Sequence, residues 1–314
     1  MNDFAARIMR EFPVRRKTKE KERFRTWLVW ELKQMGYDAF LQHDTSALSL
    51  SGITGNTNVV AGDPEKAKVF FTAHYDTGVR ELFPPLICPT RPLTYVLYQV
   101  LSPVALLVGS FLLSFAVSFP LNMPRLMLPL FLLFILAALV YRWKGPSEQQ
   151  TLNDNTSGVV TLLETAKAIS PRYRGEVCFL FLDDGVSGMR GAKGFRRKYP
   201  SCKEKSVINI DSVAEGDEIL ILPSKYSRWN DSLLGAITES FSNSEKKTCY
   251  LKTDGLTYYP SDNRSFRYSV SICATGKIAG FGRCIRPRRT KELDDENIAI
   301  LRCGLSKLAA AYHG

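Results

Sequence analysis

An apolar, β-rich run, Val69-Phe-Phe-Thr-Ala-His-Tyr-Asp-Thr77, stops at His74 with one residue between it and Asp76. An imidazole and a carboxylate at the C-terminal end of a strand suit the binding of a metal and the orientation of its ligand. Alone, such a pair reads sooner as a buried strand edge with a satisfied histidine. Further carboxylates stand at comparable places along the chain. Asp154 lies in Asn153-Asp-Asn-Thr-Ser-Gly158, at the mouth of a helical pattern, where free backbone N–H groups favour a negative charge. Asp183-Asp184-Gly185 ends a near-continuous apolar strand, and Asp211 ends another.

The elements that must carry these residues alternate. Residues 15–35 form an amphipathic helix with Phe24, Trp27, Leu28, Trp30 and Leu32, closed by Gly36. Short strands are expected at Ala47–Leu50 and Thr57–Ala61, and a turn at Asp63–Lys66 returns the chain into the His74 strand as the start of a mixed sheet. A helix over Val159–Ile169, a strand over Glu176–Leu182, a helix after Gly188 and a strand over Ser206–Ile210 follow. Strands alternating with helices, each strand ending in carboxylates, indicate an α/β fold: a mixed, mostly parallel sheet flanked by helices, with its site along one edge.

One block interrupts the pattern. No charged residue occurs between Pro92 and Pro124, nor between Leu126 and Tyr141, and Arg125 alone separates the two runs. A bilayer core takes about 20 helical residues to cross. A transmembrane hairpin is therefore expected, with helices over about 93–119 and 121–141, the second extending back toward Leu121 with Arg125 reaching the interface. Tyr95, Tyr98, Tyr141 and Trp143 stand at its ends as interfacial aromatics. The chain divides into one discontinuous domain, residues 1–90 and 147–314, and a hairpin over 91–146. Arg80, Arg91, Arg142 and Lys144 flank the base of the hairpin against Arg125 at its tip, which places the soluble part and both termini in the cytosol.

Lys and Arg exceed Asp and Glu by 11. That balance suits an anionic membrane surface or a nucleic acid and selects neither; no finger spacing or aromatic strand motif points to a nucleic acid, and the charge reads as a solvated basic surface. The seven cysteines are odd in number and irregularly spaced, and read as reduced thiols. The N-terminus lacks the apolar core of a signal peptide.

Taken in order, Ala73-His-Tyr-Asp-Thr77, Asn153–Gly158, Phe181-Leu-Asp-Asp-Gly-Val-Ser-Gly-Met-Arg-Gly191, Asn209-Ile-Asp211 and Ser261-Asp-Asn263 resemble the co-catalytic zinc exopeptidases of metallopeptidase family twenty-eight. The resemblance covers about residues 15–85 and 147–312. It implies that His74, Asp154 and Asp211 ligate one zinc, with Asp154 the carboxylate that bridges two zincs in the family, and that Asp76 orients His74. It also exposes departures. The family's Glu-Glu pair, a general base and a ligand of the second zinc, aligns with Gly185 and Val186, and Arg286 stands where the second zinc's histidine is expected. His43 and His313 lie outside the motifs. One metal set is complete and the other is missing.

An arginine at 286 would supply fixed positive charge in place of the second ion. Asp183 or Asp184 would have to act as base, although strand alternation turns a one-residue substitute away from the site. Four readings follow. The first is a single-metal peptide or amide hydrolase of aminopeptidase type. The second is an inactive pseudopeptidase that binds a peptide or a membrane protein partner. A zinc acyltransferase like the glutaminyl cyclases is weaker, since those enzymes keep the metal set missing here. The last is a metal-free buried polar network bridged to Arg286. The basic run Arg283, Arg286, Arg288 and Arg289 reads as a solvated face or a headgroup site, and Tyr258-Tyr259 as packing or a pocket wall.

Overall fold

The computed structural model describes residues 2–49, 52–83, 86–186, 188–285, 290 and 292–313. Arg286, Arg288 and Arg289 lie outside the described residues, as does Leu50 at the end of an expected strand.

The first helix, α1 (Asp3–Glu11), falls where the sequence reading assigns no element. Asn2 caps it by accepting the N–H groups of Phe4 and Ala5. The amphipathic pattern then forms α2 (Thr18–Gln34), and Glu20 accepts the N–H groups of Arg16 and Lys17 at its start. Phe24, Trp27, Leu28 and Leu32 are buried, whereas Trp30 stays half exposed. Gly36, at φ +85°, ends the helix in the left-handed region.

The two short strands of the sequence reading are parts of a longer antiparallel hairpin, β1 (Ala39–Ser49) and β2 (Gly52–Ala61), with a bulge between Asp44 and Ala47. β3 (Val69–His74), β4 (Val177–Leu182), β5 (Ser206–Ile210), β6 (Glu218–Pro223), β7 (Thr248–Leu251), β8 (Ser269–Ile278) and β9 (Gly282–Cys284) complete the sheet. Its order is β1-β2-β4-β3-β5-β8-β6-β7, with β9 beside β8. β3 is therefore not the neighbour of β2: the turn at 63–66 carries the chain past the place that β4 fills. The central strands β4, β3, β5 and β8 are parallel, and the strands outside them make the sheet mixed.

Alternation along β3 and β4 builds two layers. Val69, Phe71, Ala73, Val177, Phe179 and Phe181 point into one core with α1, α2, α5 (Ser157–Ala168), α7 (Asp231–Ser240) and α8 (Asp295–Ala311). Phe70, Cys178, Leu180 and Leu182 point into the other, with α6 (Arg190–Lys198). Gly158 lets α5 approach closely: a Cβ there would lie 2.5 Å from the Ile210 carbonyl.

Between β3 and α5 the chain leaves the sheet as two helices, numbered in chain order α3 (Pro92–Ser118) and α4 (Met127–Lys144). With the single turn at Pro124–Leu126, the second apolar helix covers 124–144. It does not extend back to Leu121, because Pro124 starts the helical turn, and its length is made up at the other end, where Arg142 and Lys144 suit the terminal carbonyls. Both helices are long and apolar enough to cross a bilayer. They pack on each other and bury Ser110, Ser114 and Ser118, whose hydroxyls donate to carbonyls four residues back, so small residues let the backbones approach without leaving a polar group unpaired.

The reading of all cysteines as reduced thiols is corrected. Cys88 and Cys284, both buried, form a disulfide that joins the segment before α3 to β9. Cys178, Cys202, Cys249, Cys273 and Cys303 are free.

Candidate metal centre

β3 and β5 run parallel with Thr72 level with Asn209, so the register two residues on sets His74 beside Asp211. The connection after β3 leads to β4 on one side, and the chain after β5 leads away on the other. A crevice opens at such a divergence, beyond the carboxyl ends of the strands. Asp154 enters it from the turn before α5, where Asn155 sits at φ +82°.

The three residues converge. His74 Nε2 lies 3.6 Å from Asp154 Oδ1 and 3.6 Å from Asp211 Oδ1, and the three ligand atoms lie within 4.8 Å of one another. Two ligands about 2.0–2.2 Å from one tetrahedral ion stand roughly 3.3–3.6 Å apart, so a His/Asp/Asp set at this spacing fits a zinc-sized dication. His74 and Asp211 are buried, while the Asp154 side chain is 38% exposed and leaves one face of the set open. Asp76 Oδ1 lies 3.4 Å from His74 Nδ1 and accepts the N–H of Gly185 at 2.8 Å, while Oδ2 accepts that of Val186 at 3.3 Å. The orienting carboxylate is thus fixed by the two positions that the resemblance assigns to the glutamate pair.

The charges favour a cation in the crevice. Burial opposes an imidazolium at His74, yet the carboxylates of Asp154, Asp211 and Asp76 around the ring hold its pKa well above the ordinary value. Burial likewise opposes ionisation of Asp76 and Asp211, but His74 holds both below the usual carboxylate range, with Lys21 assisting at Asp76 and Ser261 at Asp211. A buried relay orients Asp211: Thr72 donates to Asn209 at 2.9 Å, Asn209 to Ser261 at 2.9 Å, and Ser261 to Asp211 Oδ2 at 2.8 Å. Tyr259, two residues before Ser261, is also buried beside Asp211. Tyr258 faces the other way and packs on Tyr95 of α3.

The carboxylates expected as replacement base, Asp183 and Asp184, are held by cations. Lys21 donates to Asp183 and to Asp184, each at 2.6 Å, and the second oxygen of Asp184 pairs with Arg190 at 3.1 Å. Arg25 approaches Asp183 from α2 as well. A side chain at Gly185 is also excluded, because its Cβ would lie 2.6 Å from the His74 Cβ and 2.8 Å from Asp262 Oδ2. Arg286, the expected substitute for the second-metal histidine, lies outside the described residues.

Three further residues matter here: Asp262 belongs to the Ser261-Asp-Asn263 motif, which carries no role for it in the sequence reading, while Lys21 and Arg15 carry no signal as sites. Asp262 is buried beside His74, Asp76 and Asp211, and its Oδ1 has no hydrogen-bond partner among the described residues. Burial pushes its pKa up to about 7; His74 opposes this, and Asp76 and Asp211 add to it. Lys21 locks the Asp183-Asp184 turn. Arg15 is fully buried and donates to the carbonyls of Tyr75 and Phe12 at 2.6 Å each, to Thr156 Oγ1 at 2.9 Å and to Asn155 Oδ1. Asn155 in turn donates to the Asp76 carbonyl, so Arg15 ties the end of β3 to the Asp154 turn.

The comparisons with known proteins agree with this architecture. The family model for peptidase family M28 matches residues 142–284. The chain resembles the M28 peptidases. Among solved structures, a Zn-dependent exopeptidase from Parabacteroides distasonis superposes with a TM-score of 0.59 at 16% identity, covering 98% of this chain and 95% of that one. A glutaminyl cyclase from Porphyromonas gingivalis gives 0.58 at 14% identity, covering 97% and 94%. A leucine aminopeptidase precursor from Bacteroides thetaiotaomicron gives 0.57 at 14% identity, covering 98% and 94%. The fold is that of the zinc exopeptidases. No curated protein matches the chain. The M28 match takes in Asp154, Asp211 and Asp262; His74 and Asp76 join the M28-type core through the sheet.

Proposed function

We propose that the chain is a membrane-anchored, zinc exopeptidase-like protein that holds one zinc ion through His74, Asp154 and Asp211 and hydrolyses a peptide or amide bond. The observation that carries this reading is the convergence of those three ligand atoms within 4.8 Å on a crevice with one open face. A zinc ion there would polarise a carbonyl and lower the pKa of a bound water. Asp76 fixes the imidazole, and the relay through Ser261 fixes Asp211. Asp262, buried beside the set with one oxygen unpartnered among the described residues, takes the proton-accepting part that Asp184 is too firmly paired to play.

A specific observation favours a second reading. The lock of Lys21 and Arg190 on the turn that resembles the family's base position suits a scaffold that keeps the fold and binds a peptide or a membrane partner without turnover.

We further propose that α3 and α4 span the membrane, and that the soluble domain faces the cytosol. Arg80, Arg91, Arg142 and Lys144 at the base support that side, whereas the Cys88–Cys284 disulfide suits an oxidising compartment. The charges act during insertion, and thiols pair only after folding brings them together, so the charges set the side.

Elemental analysis of the detergent-purified protein beside His74→Ala tests the site. About one zinc per chain, lost in the variant, is expected. Wild-type protein that takes up no metal when zinc is offered would overturn the hydrolase.

A further inference from the structure

The loops that rim the His74 crevice also hold the base of the α3–α4 hairpin. β3 runs from His74 into residues 78–91 and so to α3, and α4 returns through 145–151 to Asp154. Val79 pairs with Ser147, the Arg80 N–H donates to the Pro146 carbonyl at 2.9 Å, and the Glu148 N–H to that of Gly78 at 3.0 Å. Arg16 donates to the carbonyls of Trp143 and Gly145, each at 2.6 Å. On the far side of the crevice, the Tyr258 N–H donates to the Pro89 carbonyl at 2.9 Å and its ring lies 5.2 Å from that of Tyr95, while Ser261, three residues on, donates to Asp211.

Large apolar side chains stand exposed on these loops: Leu82 (57%), Phe83 (46%), Leu256 (78%), Phe281 (47%) and Trp229 (85%). Scattered singly, such residues are ordinary on a soluble surface. Here each belongs to a segment tied to the hairpin base or to its neighbour. The Phe83 carbonyl accepts from Tyr98 of α3, and the Phe281 carbonyl from Arg91 at 3.2 Å. Arg228, beside Trp229, donates to the Gly255 carbonyl at 3.1 Å and to Thr257 at 2.6 Å, on the loop of Leu256. Arg80, Arg91, Arg228 and Arg264 are interleaved with them. Exposed aromatics and arginines around the base of apolar helices have the composition of a membrane–water interface.

We infer that Leu82, Phe83, Trp229, Leu256 and Phe281 form a collar that rests in the headgroup region of the bilayer that the hairpin crosses. The collar lays the His74 crevice against that leaflet, and its substrate is a peptide or amide tethered to the same membrane. This inference rests on the membrane-spanning hydrolase proposed above.

The test uses the full chain in lipid nanodiscs, with Cys249 and Cys303 replaced by serine and an environment-sensitive fluorophore at one introduced cysteine. Leu256→Cys and Phe281→Cys report the collar, Leu112→Cys the spanning helix, and Lys66→Cys the end of the central strands opposite His74. With headgroup-region and acyl-chain nitroxide lipids as quenchers, loss of fluorescence is expected at 112, 256 and 281 and not at 66. Quenching at 112 alone would overturn the collar and leave the hairpin standing; no quenching at 112 would overturn both. In parallel, an acylated peptide in the same nanodiscs should be cleaved in preference to its unacylated form, and Leu256→Glu with Phe281→Glu should remove that preference while leaving cleavage of the free peptide unchanged. Equal cleavage of the two peptides by the native chain would overturn the tethered substrate. Cleavage of neither would refute the hydrolase reading, and quenching at 256 and 281 would then decide the collar alone.

Discussion

Arg15 offers the sharpest single test of how the crevice is built. It is fully buried, and four acceptors depend on it: the carbonyls of Tyr75 and Phe12, Asn155 Oδ1 and Thr156 Oγ1. Burial draws its guanidinium down to about 10, countered by Asp76 and Asp154, so it stays a cation at neutral pH. Replacing it with methionine keeps the length and removes every donor. Each acceptor left without a partner in the interior costs about 1–3 kcal/mol. Thr156 can recover part of this through Thr151, 3.2 Å away, and a carbonyl can recruit water. A net loss of roughly 4–6 kcal/mol is therefore expected, a large share of the about 5–15 kcal/mol that holds a typical domain together. At about 2–4 °C per kcal/mol for a domain of this size, the melting temperature should fall by roughly 10–20 °C. Arg15→Lys should fall nearly as far, because a compact ammonium cannot fork to all four acceptors. Zinc affinity should drop with it, since Asn155 would no longer be held in its left-handed conformation between Asp154 and the Asp76 carbonyl. The assay is thermal unfolding in nanodiscs together with zinc titration against a competing chelator. Melting within about 2 °C of wild type would refute the energetic reasoning, and unchanged zinc affinity in a destabilised variant would refute the positioning role.

Three further outcomes are expected. With zinc chelated, the pKa of His74 is raised in the folded state, so its stabilising contribution is complete below the ordinary value near 6.5 and is lost as pH climbs through the raised one; zinc affinity should rise over the same interval as the proton leaves, and melting curves across pH with and without zinc check both. Asp262 works in the opposite sense to a paired carboxylate: its penalty begins near the ordinary value of about 4 and is complete above about 7, so Asp262→Asn should stabilise the chelated protein at pH 8 by on the order of 2–4 kcal/mol, change little at pH 4, and abolish hydrolysis. Rapid alkylation of intact cells should find Cys88 and Cys284 at least partly reduced if the domain faces the cytosol; a pair oxidised throughout would reverse the proposed orientation.

What the sequence determined by itself is what short-range pattern can carry. Near-continuous apolar runs ending in His74, Asp183 and Asp211 marked the strands and the edge where they stop, and two uncharged runs marked the α3–α4 hairpin. The order of the motifs located Asp154. Boundaries shifted where local chemistry intervened, as at Pro124, which moved the second apolar helix toward Lys144. Tertiary structure alone decided the rest, because the decisive contacts join residues far apart in the chain. Arg15 meets Asn155 across 140 positions, Lys21 meets Asp183 across 162, and Cys88 meets Cys284 across 196. No local propensity distinguishes Arg15 and Lys21 from the neighbouring cations of a mixed-charge helix; burial against a carboxylate-rich strand edge does. Asp184 illustrates the same limit from the other side. In sequence it is a carboxylate one residue from the required place, and in the fold two cations already hold it, while Asp262, brought in by the segment before β8, lies beside His74.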